Sequence, residues 1–288
     1  MLFMDQQQTQ EPPSPPALPA VPKVAARPPV RGPWLEIGGP HGFEWARYEL
    51  PVPGLPPQFE GLRIAHLSDL HIRKKWRRQL DDLIHRVRSE APDLILITGD
   101  FVESKRNHAP ALPHVLRLVD QLKASLGCFG TLGNHDRYVL ERELGDSGVT
   151  LIEGRRHVIE RDEAELELIG LPGVEREDLT PQVLERFGPR QFGVPRIVLS
   201  HFPDHLKNAA VLRPDLYLAG HTHGGQVCLP GGYPILRHDS LPRRLCRGVH
   251  RVADTWLVVS RGLGSTDLPI RLFCPPQVIE LTLRRGGG

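Results

Sequence analysis

The chain has 288 residues with 36 basic and 34 acidic side chains, and its 40% hydrophobic content is ordinary for a soluble globular protein with a sizeable core. The formal net charge of +2 gives no electrostatic case for binding to nucleic acid, so any basic patch must be local. The four cysteines are far apart in the sequence and form no Cys-x-x-Cys pair, which argues against a disulfide framework or a thiolate zinc site.

The N-terminal segment differs in composition from the rest of the chain. Residues 11–33 contain nine prolines, and such a segment cannot bury enough apolar area to offset the entropy of ordering the chain. We therefore predict a disordered or extended tail over residues 1–33 and a single domain over residues 34–288. The first residues contain no apolar stretch of the length that a signal peptide or a membrane span needs, which predicts a cytoplasmic protein.

Short apolar runs from residue 62 onward predict buried strands, because each run is continuous and ends in a polar residue or glycine. Two of the intervals between these runs have helical periodicity. The predicted strands are residues 62–67, 93–98, 129–132, 166–171, 196–200, 215–219, 256–260 and 278–283. The predicted helices have apolar faces made of Trp76, Leu80, Leu83, Ile84 and Val87 in the first interval and of Leu112, Leu116, Val119 and Leu122 in the second.

The order of these elements predicts the fold class. Strands alternate with helices up to residue 144, and beyond it the strands follow one another with fewer helices between them. This change favours a second, more antiparallel sheet that packs against the first. We therefore predict an α/β protein, a four-layer α-β-β-α sandwich of two mixed sheets flanked by helices.

Side chains that can bind a metal stand at the ends of five predicted strands, and ligands of α/β proteins gather at the carboxyl ends of strands. A Gly-Asp or Asp-x-His sequence alone is uninformative, because turns commonly use these residues. The ordered set at five strand ends predicts a metal site. Its members are Asp69 and His71, then Asp100, then Asn134, His135 and Asp136, then His201, and finally His221 and His223.

The spacing and type of these residues indicate which ions they bind. Asp69 and His71 are two residues apart, and side chains two apart in extended backbone project to the same side, so both can reach one ion. His221 and His223 repeat this spacing. Imidazole with carboxylate and amide oxygen suits Mn, Fe or Zn, whereas Mg and Ca prefer oxygen ligands. A pair of ions needs a bridging ligand, and the carboxylate of Asp100 is the best candidate.

The sequence blocks Asp-x-His, Gly-Asp, Gly-Asn-His-Asp, His and Gly-His-Thr-His stand in the order of the calcineurin-like metallophosphoesterases, and the chain resembles that family. The resemblance implies a dinuclear site with two divalent transition-metal ions. It implies that His135 faces the scissile phosphate as general acid or transition-state donor, with Asp136 orienting it. It assigns the first ion to Asp69, His71, Asp100 and His223, and the second to Asp100, Asn134, His201 and His221.

The resemblance is closer to a bacterial branch of small phosphodiesterase-like enzymes, some of which act on cell-envelope or lipid A precursors. The matching motifs are Gly-His-Thr-His-Gly-Gly-Gln at residues 220–226, Ser-Arg-Gly-Leu-Gly at 260–264 and Pro-Ile-Arg-Leu at 269–272. This branch implies hydrolysis of a phosphodiester or pyrophosphate bond by hydroxide generated at the two ions. It implies a lipid-linked or nucleotide-sugar substrate, such as a UDP-diacylglucosamine-type lipid A precursor.

Basic residues near the predicted site are candidate substrate contacts. Arg73, Lys74 and Arg77 follow His71 directly, and such cations attract polyanionic or membrane-surface substrates, although a solvated helix face has the same composition. A second basic cluster at residues 237–247 alternates arginine with leucine, and both a substrate flap and a loop packed on the core would have this pattern. Peripheral contact with the inner face of the membrane stays open on these grounds.

Two other functions remain open at this stage. A cyclic-nucleotide or nucleic-acid phosphodiesterase would use the same metal site, but the balanced net charge counts against an extended nucleic-acid groove, so we expect no stable nucleic-acid partner. A non-catalytic metal-binding scaffold would be expected to have lost ligands or the acid, and this sequence retains them. We therefore expect a metal-dependent phosphoric ester hydrolase whose partner is a phosphate-containing small molecule or a lipid-linked substrate.

Overall fold

The structure, a computed structural model, describes residues 34–136, 138–173, 179–235 and 239–286. The predicted tail over residues 1–33 lies outside the described residues, and so does Arg237 of the second basic cluster. The division between a tail and a single domain stays a prediction.

Strands outnumber α-helices in the described part of the chain. In chain order, the strands are β1 (Leu35–Ile37), β2 (Glu44–Pro53), β3 (Arg63–Leu67), β4 (Leu94–Thr98), β5 (Cys128–Thr131), β6 (Thr150–Leu151), β7 (Arg156–Arg161), β8 (Ala164–Gly170), β9 (Arg196–Leu199), β10 (Leu216–Ala219), β11 (Cys228–Leu229), β12 (Tyr233–Pro234), β13 (Gly248–Val252), β14 (Thr255–Val259), β15 (Ile270–Leu272) and β16 (Gln277–Gly286). The α-helices are α1 (Arg78–Glu90), α2 (Leu112–Val119), α3 (Tyr138–Glu143), α4 (Pro181–Glu185) and α5 (Leu206–Ala209).

Two six-stranded sheets form the framework of the protein. The strand order of the first sheet is β2-β16-β3-β4-β5-β6, and its β16–β3 pair is antiparallel while the other pairs are parallel. The second sheet has the order β13-β14-β10-β9-β8-β7, with an antiparallel pair at each edge and parallel pairs between them. Both sheets are therefore mixed, and the second has the larger antiparallel share, as predicted.

Three apolar cores separate the layers. Leu83 of α1 and Val115 of α2 share one core with Ile97 of β4, on the outer face of the first sheet. Leu96 of β4 and Leu199 of β9 belong to a second core between the two sheets. A third core covers the outer face of the second sheet beneath α4 and α5. Helices thus flank two packed sheets, and the predicted four-layer sandwich is confirmed.

The predicted strands and helices are present, but the two predicted helices differ from α1 and α2 at one end each, and the described part of the chain adds eight strands and three α-helices that the sequence prediction missed. The prediction that Trp76 belongs to the first helix is wrong, because α1 begins at Arg78. Trp76 precedes the helix, and its Nε1 donates to Oδ2 of Asp81 at 2.7 Å. Leu122 is buried but lies beyond the end of α2. The sequence prediction missed β2, in which Pro51 and its neighbours are typical of a turn; β2 is an edge strand, where a missing amide donor is tolerated.

Two further expectations concern the cysteines and the membrane. All four cysteines are buried and free. Within the described part of the chain, every helix is too short or too polar to cross a membrane.

Candidate metal centre

The predicted ligands meet where strands of the two sheets end. β3, β4 and β5 are parallel neighbours in the first sheet, and β9 and β10 are parallel neighbours in the second. The backbone amide of His221, after β10, donates to Oδ1 of Asp69, after β3, at 3.0 Å. Nδ1 of His201, after β9, donates to the carbonyl of Thr98 in β4 at 2.9 Å. These contacts join the sheets, so the loops that follow the strands form one site.

The first ligand group consists of Asp69, His71, Asp100 and His223, which are all buried. Each of them offers one ligand atom, and these atoms lie within 4.8 Å of one another. Nε2 of His71 lies 2.9 Å from Nε2 of His223 and 3.4 Å from Oδ2 of Asp100. Oδ1 of Asp69 lies 3.3 Å from Nε2 of His223. The structure therefore brings together the four residues predicted for the first ion.

The second ligand group lies on the other side of Asp100. Nε2 of His201 and Nδ1 of His221 each lie 3.0 Å from Oδ1 of Asn134. The same nitrogen of His201 lies 3.3 Å from Oδ2 of Asp100. Oδ2 of Asp100 is thus close to ligand atoms of both groups, which is the position that a bridging carboxylate needs.

The donor atoms of both groups fit divalent cations. Ligand atoms bonded to one cation at about 2.0–2.2 Å come to lie roughly 3 Å apart, and the separations in both groups are close to this value. Without a cation between them, the facing Nε2 atoms of His71 and His223 would have to share a proton, with two carboxylates beside them. Imidazole nitrogens with carboxylate and amide oxygens suit Mn, Fe or Zn. A divalent metal site is therefore consistent with the residues present.

The backbone at the ligands differs from the extended geometry assumed in the sequence prediction. Asp69, His71, Asp100, His221 and His223 all have positive φ, between 42° and 67°. Extended backbone is therefore the wrong reason for the convergence of the two pairs, which lie on turns after their strands. Left-handed backbone costs a residue other than glycine of order 1–3 kcal/mol and concentrates at functional sites. The surrounding packing must hold these turns in place.

Charge in the site favours cations. Burial disfavours the imidazolium form of His201, but the carboxylates of Asp100 and Asp69 outweigh burial and raise the pKa of His201 to about 9. Burial likewise disfavours the carboxylate form of Asp100, but the imidazoles of His201 and His71 hold the pKa of Asp100 well below its ordinary value. Without metal, a proton therefore occupies His201, and metal uptake must displace it.

Two side chains that the sequence prediction missed contact the Nδ1 atoms of the predicted ligands His71 and His223. Oε2 of Glu103 lies 2.8 Å from Nδ1 of His71, an arrangement that fixes the orientation of a ligating imidazole. Nη2 of the buried Arg271 lies 3.2 Å from Nδ1 of His223. Glu103 follows Asp100 by three residues and Arg271 lies in the motif at residues 269–272, but neither position has a metal-ligand pattern in the sequence.

His135 lies against both ligand groups. Its ring makes an edge contact with the ring of His71 at a centroid distance of 4.6 Å, and its backbone amide donates to Oδ1 of Asp100 at 2.8 Å. Nδ1 donates to the carbonyl of Glu103 at 2.6 Å, and Nε2 lies 3.4 Å from Oγ1 of Thr266. The Glu103 carbonyl therefore fixes Nδ1, and Nε2 is the ring nitrogen with the longer contact.

The orientation of His135 by Asp136 stays a prediction, and the structure shows which contacts the Asp136 carboxylate makes. The carboxylate of Asp136 accepts from the amide of Val102 at 3.1 Å and from the amide of Gly133 at 2.9 Å. Burial raises the pKa of Asp136 to about 7, and the neighbouring carboxylate of Asp100 adds to the effect. Asp136 therefore stabilises the backbone around the loop that carries His135, and the ring of His135 contacts the carbonyl of Glu103.

The predicted substrate-contact cations take different positions. Nη2 of Arg73 donates to Oε1 of Glu103 at 3.0 Å, so Arg73 borders the site with its guanidinium already partnered. Nη2 of Arg77 donates to the carbonyl of Gly38 at 3.2 Å, and Lys74 is exposed. A role for these three in substrate binding stays a prediction.

The second basic cluster is a packed loop in its described part. Leu241 and Leu245 are buried in the core on the outer face of the second sheet. Of the two patterns considered for this segment, a loop packed on the core therefore describes these residues, and a mobile flap does not.

Gly220 provides a test of the first ligand group. A Cβ atom at this position would lie 1.8 Å from Oγ of Ser68 and 2.4 Å from Oδ2 of Asp69. We expect Gly220→Ala to displace Asp69, to lower metal content and to destabilise the fold by about 1–3 kcal/mol, the usual cost of overpacking. Elemental analysis and urea unfolding measure these changes.

Gly42→Ala is the matched control for Gly220→Ala, because a Cβ atom at Gly42 would meet nothing within 4 Å. It should leave both metal content and stability close to those of the unmodified chain. Unchanged metal content in Gly220→Ala would contradict the placement of Asp69 at the metal.

Comparison with known proteins identifies the family. The family model for calcineurin-like phosphoesterases matches residues 62–225, which is more than half of the chain and includes every predicted metal ligand. The chain therefore belongs to the calcineurin-like phosphoesterase family and is a metal-dependent phosphoesterase.

Relatives with similar sequences include bacterial proteins of similar length. The chain is 32% identical to the metallophosphoesterase YkoQ of Bacillus subtilis over 238 residues, which cover 78% of this chain and 84% of YkoQ. It is 30% identical to the phosphodiesterase YaeI of Escherichia coli over 235 residues, which cover 77% of this chain and 82% of YaeI. A transmembrane protein with a metallophosphoesterase domain from Danio rerio is 29% identical over 257 residues, 82% of this chain and 56% of that protein. The predicted resemblance to bacterial phosphodiesterases is confirmed.

Proposed function

We propose that this calcineurin-like phosphoesterase hydrolyses a phosphodiester or pyrophosphate bond with two divalent transition-metal ions, by direct attack of water and without a phosphoenzyme. The observation that carries the proposal is the position of Asp100, whose Oδ2 lies 3.4 Å from Nε2 of His71 and 3.3 Å from Nε2 of His201. One carboxylate oxygen at the junction of two ligand groups supports a pair of ions held close together.

The chain's own groups have distinct tasks in this proposal. The ions would supply Lewis acidity at the phosphoryl oxygens and lower the pKa of a water molecule. Because Nδ1–H of His135 is held by the carbonyl of Glu103, Nε2 carries a proton only in the imidazolium form, and in that form it delivers the proton to the leaving oxygen or donates to a phosphoryl oxygen. Asp69, His71, Asp100 and His223 hold one ion, and Asn134, His201 and His221 hold the other together with Asp100.

For the substrate we propose a phosphate linked to a lipid, of the kind exemplified by a UDP-diacylglucosamine-type lipid A precursor. Leu268, an exposed apolar residue, supports a lipid part of the substrate, because it lies two residues after Thr266, whose Oγ1 is 3.4 Å from Nε2 of His135. A cyclic nucleotide is an alternative substrate for the same metal site. An extended nucleic-acid substrate has less support, because the net charge of the chain is only +2.

Metal reconstitution tests the proposed function. Titration of metal-free protein with Mn²⁺ should raise the hydrolysis of bis-p-nitrophenyl phosphate to a plateau at about two equivalents per chain, because both ions are needed for turnover. Elemental analysis of the same sample should give the same stoichiometry. A plateau at one equivalent would contradict the dinuclear site, and a loaded protein without hydrolytic activity would contradict the enzymatic proposal.

The substrate class is tested with the same loaded protein. Lipid pyrophosphates, nucleotide sugars and cyclic nucleotides are compared by their kcat/KM. A higher kcat/KM for lipid pyrophosphates supports the lipid-linked substrate, and a higher kcat/KM for cyclic nucleotides would replace it.

A further inference from the structure

Two small sheets lie together beside the metal centre. One is the antiparallel pair of β1 with β15, and the other is the antiparallel pair of β11 with β12. A parallel bridge between Val227 and Leu272 joins the two sheets, and the amide of Phe273 donates to the carbonyl of Trp34 at 2.6 Å. We call this unit the apolar layer and define it as residues 34–37, 227–235 and 268–273.

Exposed hydrophobic side chains are concentrated on the apolar layer. The described residues include eight large hydrophobic side chains that are exposed, and six of them belong to the layer. The six, which are between 45% and 63% exposed, are Trp34, Ile37, Leu229, Tyr233, Ile235 and Leu268. The remaining two are Phe192 and Val211. Scattered single hydrophobic residues are normal on a protein surface, whereas a concentration of them marks a contact surface.

Guanidinium groups border the apolar layer. Arg77 donates to the carbonyl of Gly38 at 3.2 Å, directly after β1. Arg247 donates to the carbonyl of Gly231 at 3.1 Å, in the turn between β11 and β12, and the guanidinium of Arg243 lies 5.7 Å from the ring centroid of Tyr233.

The direct partners of these arginines are neutral carbonyl and aromatic groups, and the carboxylates of Glu36 and Glu103 act on Arg77 in addition. Lys74 and Lys75, shortly before Arg77 in the chain, are also exposed. Asp267 adjoins the layer just before Leu268 as an exposed acidic neighbour, and Glu36 within the layer is buried. The border is therefore net positive, which complements an anionic surface.

Hydrogen bonds of Gln226 connect the apolar layer to the segment beside His135. Nε2 of Gln226 donates to the carbonyl of Thr266 at 3.1 Å and to that of Leu268 at 2.9 Å. Oγ1 of Thr266 lies 3.4 Å from Nε2 of His135. A surface that contacts Leu268 is consequently only a few residues from the group proposed to face the substrate.

We propose that the apolar layer docks on a bilayer that contains anionic phospholipids, so that the metal centre receives its phosphate substrate at that surface. Tryptophan and tyrosine suit the polar–apolar boundary of a bilayer, leucine and isoleucine enter its apolar region, and the bordering arginines contact lipid phosphates. The delivery of substrate rests on the proposed function, whereas the docking itself needs only the layer.

Vesicle binding by the metal-loaded full chain tests the docking. Sedimentation compares vesicles of phosphatidylcholine alone with vesicles that also contain about 30% phosphatidylglycerol, an anionic lipid. The unmodified chain should bind the anionic vesicles, and added salt should weaken binding. The triple variant Ile37→Ser, Leu229→Ser, Leu268→Ser should bind at least about tenfold more weakly, since it removes three apolar anchors.

The double variant Phe192→Ser, Val211→Ser is the matched control, because it removes exposed hydrophobic side chains outside the layer. It should bind anionic vesicles as the unmodified chain does. Arg243→Glu should weaken binding to anionic vesicles, because it reverses a charge at the border of the layer.

Hydrolysis of soluble bis-p-nitrophenyl phosphate separates docking from catalysis. The triple variant should keep normal rates on this substrate, because its changes leave the metal ligands intact. Loss of docking with normal hydrolysis in the triple variant supports the proposal, and failure of the unmodified chain to hydrolyse the substrate concerns the proposed function instead.

Four results would overturn the docking proposal. The first is that the unmodified chain does not bind vesicles, and the second is that it binds neutral and anionic vesicles equally. The third is that the triple variant binds anionic vesicles as strongly as the unmodified chain. The fourth is that the unmodified chain is a dimer that does not bind vesicles and the triple variant is a monomer. The third would assign lipid binding to the metal centre, and the fourth would make the layer an interface between copies of the chain.

Discussion

Replacement of Asp100 by asparagine should remove the paired metals and lower turnover by more than about 10³-fold, beyond the loss expected for one electrostatic donor. Oδ1 of Asp100 accepts from the amide of His135, and asparagine can retain that contact through its carbonyl oxygen. Oδ2 faces the nitrogens of His71 and His201, and there an uncharged amide would replace the oxygen shared by both ligand groups. Metal content after gel filtration and kcat on bis-p-nitrophenyl phosphate measure the effect.

Asp69→Asn is the matched control for Asp100→Asn, because it makes the same chemical change in a carboxylate that belongs to the first group alone. Oδ1 of Asp69 lies 3.3 Å from Nε2 of His223. Asp69→Asn should retain the ion of the second group and show a smaller loss of turnover, as should His71→Ala. If Asp100→Asn holds two metals and turns over at a near-normal rate, Asp100 is not the bridge.

The ligands could be predicted from the sequence because each motif is local. A strand that ends in Asp-x-His or Gly-Asn-His-Asp carries its ligands within a few residues of a recognisable apolar run, and parallel strands deliver their carboxyl ends to one side. The layered fold followed from the same apolar runs. Neither conclusion depends on knowing which strands are neighbours.

Other features depend on contacts between distant segments, and no local pattern encodes them. β16 lies between β2 and β3, so the last strand of the chain enters the interior of the first sheet. Arg271 reaches the ring of His223 across 48 positions of sequence. The left-handed backbone of Asp69 and Asp100 was also missed, because the surrounding packing, and not their residue type, imposes it.

The apolar layer illustrates the same limit at the surface. Trp34, Leu229 and Leu268 are widely separated in the chain, and each alone is an ordinary exposed hydrophobic residue. Their segments are brought together by long-range contacts, among them the pairing of β1 with β15 and the bridge at Val227. The sequence prediction assigned membrane contact to basic clusters, whereas the structure adds an apolar surface between them.

Substitution of His135 by alanine should leave both metals bound and lower turnover by roughly 10²- to 10⁴-fold, the contribution of a positioned general acid. The ring of His135 is held by the carbonyl of Glu103 and contacts the ring of His71, but neither ligand group uses its nitrogens in the proposed assignment. The backbone amide that donates to Asp100 survives in alanine. Elemental analysis and kcat on two classes of phosphodiester measure the effect.

The leaving group distinguishes the two roles open to His135. A general acid at Nε2 matters little for p-nitrophenolate, which departs without a proton. The reduction in turnover should therefore be small for p-nitrophenyl esters and should reach the full value of roughly 10²- to 10⁴-fold for alkyl phosphodiesters. A donor to a phosphoryl oxygen would instead stabilise the transition state of both classes, and the loss would be about equal. Loss of metal in His135→Ala would make His135 a ligand, and normal rates on both substrates would leave it without a catalytic role.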